Sequence, residues 1–244
     1  MAAVDHDDPV SLATSFLRAV KTGDDSRAHR RALAGLDDRR LARELDGDAP
    51  RTAFWLDVYN GFAQYLLRSN PDRWQKRRLL PTRPVFTDEL FTVAGHDLSL
   101  DDVEHGILRG SQSGVGLGYL PRIRVDGFER RHRVDELDPR LHFALNCGAS
   151  SCPPVAVYTR DGVDDELDLA TASYLESECR HDSTADVVRV PKLFSWYRGD
   201  FGGKSGVVRF LRRYGVVPGD AAPSLTYADY DWSMKLGKFA ELEA

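Results

Sequence analysis

Thr52-Ala-Phe-Trp-Leu-Asp-Val-Tyr-Asn-Gly-Phe-Ala-Gln-Tyr-Leu-Leu-Arg68 is the stretch that decides the architecture of this chain. On a wheel of 100° per residue, Phe54, Trp55, Leu56, Val58, Tyr59, Phe62, Tyr65, Leu66 and Leu67 cover most of the circumference. Asp57, Asn60, Gly61, Gln64 and Arg68 fall together on one narrow stripe. A helix apolar on nearly every side is surrounded by the rest of its fold. Thr52 is read as its N-cap, and Asn70-Pro71 as its stop. The stripe must meet water or a polar cavity, since each buried polar group left unpaired costs roughly 1–3 kcal/mol.

Upstream, residues 10–45 read as two helices, Val10–Thr22 and the Arg-rich Ser26–Leu45, and Gly47-Asp-Ala-Pro50 breaks the chain before the central helix. Downstream, Thr82–Leu98 is strand-like or irregular, interrupted by Pro84 and Gly95 and preceded by Pro81. A short helix is predicted at Leu100–Arg109, a Gly-rich loop at 110–118, and strands near Arg122–Val125 and at Leu141–Cys147. Then come a helix at Val163–Arg180, a strand at Val187–Val190, helices near Phe194–Phe201 and Gly206–Tyr214, and a late strand around Ser224–Tyr230. Helices lead and strands are few. The expected class is α+β, with helices packed on a small, mainly antiparallel sheet. Residues 1–49 are read as a helical extension and residues 50–244 as a single domain.

The chain has 244 residues and a net charge of −5, enough length for one sizeable core. It has no basic footprint for nucleic acid and no apolar run long enough to span a membrane. The acidic N-terminus is unlike a signal peptide, so a soluble, cytoplasmic protein is expected. Three cysteines argue against a secreted disulfide framework.

Chemistry concentrates in Asp138-Pro-Arg-Leu-His-Phe-Ala-Leu-Asn-Cys-Gly-Ala-Ser-Ser-Cys-Pro-Pro154. Read as a strand, it puts Leu141, Phe143, Leu145 and Cys147 on one face and His142, Ala144 and Asn146 on the other. Gly148-Ala-Ser-Ser151 is small-residue and rich in backbone N–H groups, as an anion nest or oxyanion hole requires. Cys147 is read as a thiolate nucleophile with His105 or His142 as base, as a metal ligand with Cys152, or as a packing residue. A lone C-x4-C is weak for zinc, and no cofactor is expected. On Leu98–Arg109, Ser99 and Asp102 form a capping signature. Glu104 falls inside the apolar arc there, and His105 at its edge near Asp101. A carboxylate on that side acts in acid–base chemistry, orients a histidine, or pairs with an arginine. Pro191-Lys-Leu-Phe-Ser-Trp-Tyr-Arg-Gly-Asp-Phe201 offers Lys192, Trp196, Tyr197 and Asp200 as pocket lining or as a packed corner, and Asp200 as a partner for either histidine. Loop 110–118 lacks the ending of a phosphate loop; its flexibility suits a lid.

These segments together resemble the family catalogued as domain of unknown function 547, over about residues 50–215. The resemblance carries Phe54-Trp-Leu-Asp-Val-Tyr-Asn60, Leu100-Asp-Asp-Val-Glu-His-Gly-Ile-Leu-Arg109, Asp138–Pro154 and Leu193–Phe201. Members usually show Asn where this chain has Asp57. What the resemblance implies is a shared fold and a shared pocket, with Asn60, Glu104, His105, His142, Asn146, Cys147, Cys152, Lys192, Trp196, Tyr197 and Asp200 on the family's motifs. A distant, fold-level similarity to papain- and transglutaminase-like proteins rests on a buried helix followed by a His-bearing strand. It would put Asn60 near the position where those enzymes hold their cysteine.

The reading that follows is a cysteine-dependent hydrolase or acyl-transfer enzyme on an amide, thioester or peptide-like bond. Cys147 is the nucleophile, His105 or His142 the base, and Glu104 or Asn60 the orienting group. Asn146, Gly148, Ser151, Lys192, Trp196, Tyr197 and Asp200 bind the small-molecule or peptide ligand. The alternative is a non-catalytic ligand- or protein-binding scaffold in which the same cluster is structural.

Overall fold

In the computed structural model, which describes residues 8–75, 83–219 and 221–242, the central helix α4 runs over Asp48–Ser69. It begins a turn earlier than expected. Gly47 is the N-cap, Pro50 sits in the first turn where its missing N–H costs nothing, and Thr52 is buried inside the helix rather than capping it. Packed along it is α1, Pro9–Thr22, capped by the Asp8 carboxylate, which accepts from the Ser11 N–H. Gly61 explains the close approach of the two helices: a Cβ there would come within 2.5 Å of the Phe16 ring. Phe16 then packs on Phe62, and Phe62 stacks on Phe91 at 4.1 Å between ring centroids.

The predicted second helix is two, α2 (Arg27–Ala34) and α3 (Asp38–Glu44), because Gly35 ends the first and the Asp37 carboxylate caps the second. Leu12, Phe16, Leu33 and Leu41 from these N-terminal helices share one core with α4. After α4 come α5 (Pro84–Thr87) and a hairpin, β1 (Phe91–Val93) with β2 (His96–Leu98), turning at Ala94-Gly95. The strand-like reading of Thr82–Leu98 thus reduces to its second half; Pro81 and Thr82 lie outside the described residues. Helix α6 spans Gly127–His132, α7 Val163–Glu178, α8 Leu193–Trp196 and α9 Gly203–Arg213. A three-stranded sheet has β4 (Val187–Val190) at its centre, antiparallel to β3 (Arg180–Asp182) and parallel to β5 (Ser224–Tyr227). The class is α+β. Among the described residues, no helix is long and apolar enough to cross a membrane.

Two sequence-predicted strands do not form. Arg122–Val125 is irregular, and Ile123 is wholly exposed, since among the described residues no strand pairs with this segment. Leu141–Cys147 is not a strand either. Pro139–Phe143 is a turn of 3-10 helix, started by the Asp138 carboxylate accepting from the Arg140 N–H. Its apolar residues face two ways: Leu141, Ala144 and Leu145 enter the α4 core, whereas Phe143 enters a second core formed by the β4 sheet, α7 and α9. A short apolar run with neighbours on both sides mimics a buried strand in sequence. The His-bearing strand behind the papain- and transglutaminase-like similarity is therefore absent.

Candidate functional site

A cavity of about 690 Å³ opens beside this segment. One wall is Glu104, His105, His142 and Tyr197; another is Cys147, Cys152 and Tyr230; Trp196 and Trp232 close an aromatic side, and loop residues 114–117 border it.

Glu104 and His105 are delivered by residues Asp102–Leu108, wound as a π-helix rather than the expected α-helix. The Arg109 N–H donates to the Glu104 carbonyl at 2.9 Å and the Ser111 N–H to that of Gly106 at 2.8 Å, five residues back in each case. Ser99 and Asp102 cap it reciprocally, as the sequence predicted. The wider turn carries both Glu104 and His105 to the cavity, which a wheel at 100° per residue does not anticipate. Glu104 accepts hydrogen bonds from the hydroxyls of Tyr59 (3.0 Å) and Tyr197 (2.7 Å). Burial favours its protonated form, but His105, the Tyr197 hydroxyl, His142 and Arg109 together hold its carboxyl below the ordinary value. The two tyrosine hydroxyls move the other way, raised by burial and by the Glu104 charge. Asp101, on the same rim with 38% of its side chain exposed, is raised by burial of its carboxyl and by the charges of Glu104 and Asp102.

His142 is 3% exposed and stacks on Tyr197 with ring centroids 4.0 Å apart. Its Nε2 lies 2.8 Å from Asp200 Oδ2, so Asp200 chooses this histidine of the two. Asp200 also receives a two-pronged pair from Arg109, at 2.7 and 2.9 Å, with both side chains fully buried. Burial lowers the His142 pKa, against the pull of Asp200, whereas Asp200 is held low by His142 and Arg109 in spite of its own burial. At neutral pH the pair is an imidazole donating Nε2–H to a carboxylate. Its Nδ1 is left as an acceptor with no hydrogen-bond partner among the described residues. His105 is neutral too, lowered by burial, with Nδ1 3.1 Å from Arg109 Nη1. Gly118 seats this cluster: its φ is +82°, and a Cβ would come within 2.4 Å of Asp200 Oδ1.

The two cysteines are free thiols with sulfurs 2.9 Å apart. Among the described residues neither sulfur has a histidine partner, so the expected Cys147–imidazole dyad is not assembled. The favoured thiolate is Cys152, not Cys147. Burial works against the Cys152 anion, but Cys147 Sγ, the Tyr230 hydroxyl (3.2 Å) and the N–H groups of Ala149 and Cys147 (the latter at 3.2 Å) outweigh it and lower its pKa. Cys147 is raised by its hydrogen bond with Cys152 and by burial. The loop is a nest, yet the group its N–H donors face is the chain's own Cys152 sulfur. The oxyanion hole expected from Gly148–Ser151 is absent: the Gly148 N–H is taken by Asn146 Oδ1, that of Ser150 by the Ser233 carbonyl and that of Ser151 by the Asp231 carbonyl.

The polar stripe of α4 meets water only at its end, Arg68, and does not face the cavity. Asp57, Asn60 and Gln64 are wholly buried. Asn60 accepts from the Asn146 N–H (2.9 Å) and donates to the Ala144 carbonyl (3.0 Å), doing for the extended segment what a neighbouring strand would do. Gln64 donates to Asn146 Oδ1, and Asn146 donates to the Pro153 carbonyl. Asp57 accepts from the Thr14 hydroxyl and the Tyr158 N–H. Asn60 and Asn146 therefore hold the cysteine segment from behind. Ser151 ties the loop to Asp231, and Lys192 lies over Tyr227, away from the cavity lining. Tyr59, Asp101, Arg109, Tyr230 and Trp232 escaped the sequence reading. Tyr59, Asp101 and Arg109 carried a signal, as members of the Phe54–Asn60 and Leu100–Arg109 motifs.

Among the described residues no three His, Cys, Asp or Glu side chains converge as a metal-ligand set. No curated protein and no solved structure matches the chain. The family described as "Protein of unknown function, DUF547" matches residues 43–175, more than half of the chain. That span includes α4, the π-helix and the cysteine loop, and stops short of Tyr197, Asp200 and Tyr230, which complete the cavity. The chain belongs to the DUF547 family.

Proposed function

We propose that the protein is a cysteine-dependent acyl-transfer enzyme or hydrolase with Cys152, rather than Cys147, as the nucleophile. One observation carries the reading: a thiol whose anion is stabilised by several donors shares a cavity with a buried, neutral His142 that Asp200 orients. A stabilised thiolate needs no adjacent base to be nucleophilic. The Cys152 thiolate adds to the acyl carbon, and the bond to the leaving group breaks as the leaving atom takes the proton of Asp101, whose raised pKa keeps it protonated. Water or another acceptor then attacks the thioester. His142 Nδ1 takes the acceptor's proton, and Asp200 stabilises the imidazolium. The proton passes back to Asp101 through solvent, so the cycle closes.

Alkylation by iodoacetamide at graded pH, with the modified cysteine located by mass spectrometry, tests this. Cys152 should react first, with an apparent pKa below the free-thiol value of ~8.5. Preferential reaction at Cys147, or a Cys152 that titrates as an ordinary thiol, overturns the assignment.

A further inference from the structure

The charges around Glu104 do not balance. Arg109 is matched by Asp200 in a two-pronged, fully buried pair. Arg122 is matched by Asp102 at 3.0 Å and Glu129 at 3.3 Å. Glu104, with 12% of its side chain exposed, accepts from the Tyr59 and Tyr197 hydroxyls and lies 3.6 Å from His105 Nδ1, but among the described residues no lysine or arginine forms an ion pair with it. Arg83, also on the lining, spends its guanidinium on the faces of Trp74 and Trp232 and on the Trp74 carbonyl. A buried carboxylate without a cation is costly, and the cost is recovered when a ligand brings the cation.

The hydrogen-bonding inventory runs the same way. The carboxylate of Glu104 lines the cavity as a pure acceptor, with both of its oxygens on hydroxyl donors and room left for further donors. Acceptors of this kind call for a ligand group with several donors and no lone pair, which describes an ammonium. Trp196, Tyr230 and Trp232, with mutual centroid separations of 4.6–5.6 Å, offer an apolar and cation-tolerant surface for the rest of the ligand.

We infer that the cavity binds its ligand by a primary ammonium group held on Glu104, with the ligand's apolar body against the Trp196, Tyr230 and Trp232 side. The inference rests on the proposed working cavity and names the charged end of its substrate, but it does not require the thiol chemistry.

Isothermal titration at pH 7 with three probes of one shape tests it: 2-phenylethylamine, 2-phenylethanol and 3-phenylpropionate. The amine should bind about tenfold or more tightly than the alcohol, the size expected for a desolvated charge pair, and the carboxylate should bind most weakly. Glu104→Gln should bring the amine level with the alcohol, and Trp232→Ala should weaken both alike. An amine no tighter than the alcohol on the wild-type protein overturns the inference whether or not Glu104→Gln folds. So does an undiminished amine preference in folded Glu104→Gln. Repeating the titration on Cys152→Ser separates the two proposals: amine affinity should be unchanged there, even if alkylation has already removed Cys152 as nucleophile.

Discussion

The stripe of α4 and the wall of the cavity are both polar and buried, but they are finished differently. Along α4, the acceptors and donors of Asn60 and the carboxylate of Asp57 meet specific backbone or hydroxyl partners, and the group closes on itself. On the wall, Glu104 has no lysine or arginine ion pair among the described residues, His142 keeps one ring nitrogen off Asp200, and the Cys152 thiol is lowered by its neighbours against its burial. A closed polar set holds a fold in register; an open one is waiting for something. Residue type and burial are alike in the two regions, so only the count of unused hydrogen-bonding capacity separates them.

If the stripe is closed, opening it should damage stability and spare the thiol. Asn60→Ala strands the Asn146 N–H and the Ala144 carbonyl in a buried site. We expect a loss of about 2–4 kcal/mol by urea denaturation, two unsatisfied groups at roughly 1–3 kcal/mol each with partial relaxation. The Cys152 thiol pKa in the folded fraction should not move. A loss below 1 kcal/mol would place Asn60 with the open set.

Asp57 sharpens the comparison with a smaller, pH-dependent effect. Its carboxyl is held well above the ordinary carboxylate range by burial, although Thr14 and Tyr158 donate to it. The folded chain therefore keeps this proton to higher pH than the unfolded chain. The stability it contributes is full below the unfolded value of ~3.9 and is lost as pH rises towards the folded pKa. Asp57→Asn should remove that loss. The variant should gain on the wild type in denaturation midpoint between pH 4 and pH 7 and match it more closely at pH 4. A constant offset across that range would mean that Asp57 is ionised in the fold at no cost.

How much of this was legible beforehand follows from the same distinction. The apolar circumference of Thr52–Arg68 announced a surrounded helix, and Glu104 stood out because a carboxylate on an apolar arc conflicts with its neighbours. Both are local signals. The role of Asn60 was not legible, because its partners lie more than eighty residues away and belong to a segment whose alternating pattern suits a strand equally well. Asp200 was named as a partner for either histidine, but the choice between them depends on how residues 193–201 approach the 3-10 turn. The surroundings of Cys152 were not legible for the same reason: Tyr230, whose hydroxyl lies 3.2 Å from Cys152 Sγ, is 78 residues further along the chain.

The smallest expected change in stability belongs to the open wall. Tyr230→Phe removes one hydroxyl that hydrogen-bonds with Cys152 Sγ at 3.2 Å and keeps the ring packed between Trp196 and Trp232. The hydroxyl's partner is a sulfur at the edge of a cavity, so water can replace it, and folding stability should change by less than about 1 kcal/mol. The Cys152 thiol should nevertheless rise towards ~8.5, because a donor to the anion has gone while the burial that opposes ionisation remains. Iodoacetamide labelling across pH reads this directly, with a rate at pH 7 below that of the wild type and a rate at pH 9.5 close to it. A stable variant with an unshifted thiol would show that Cys147 and the Ala149 amide suffice for the anion. A destabilised one would move Tyr230 to the closed set, and with it the boundary between the two regions.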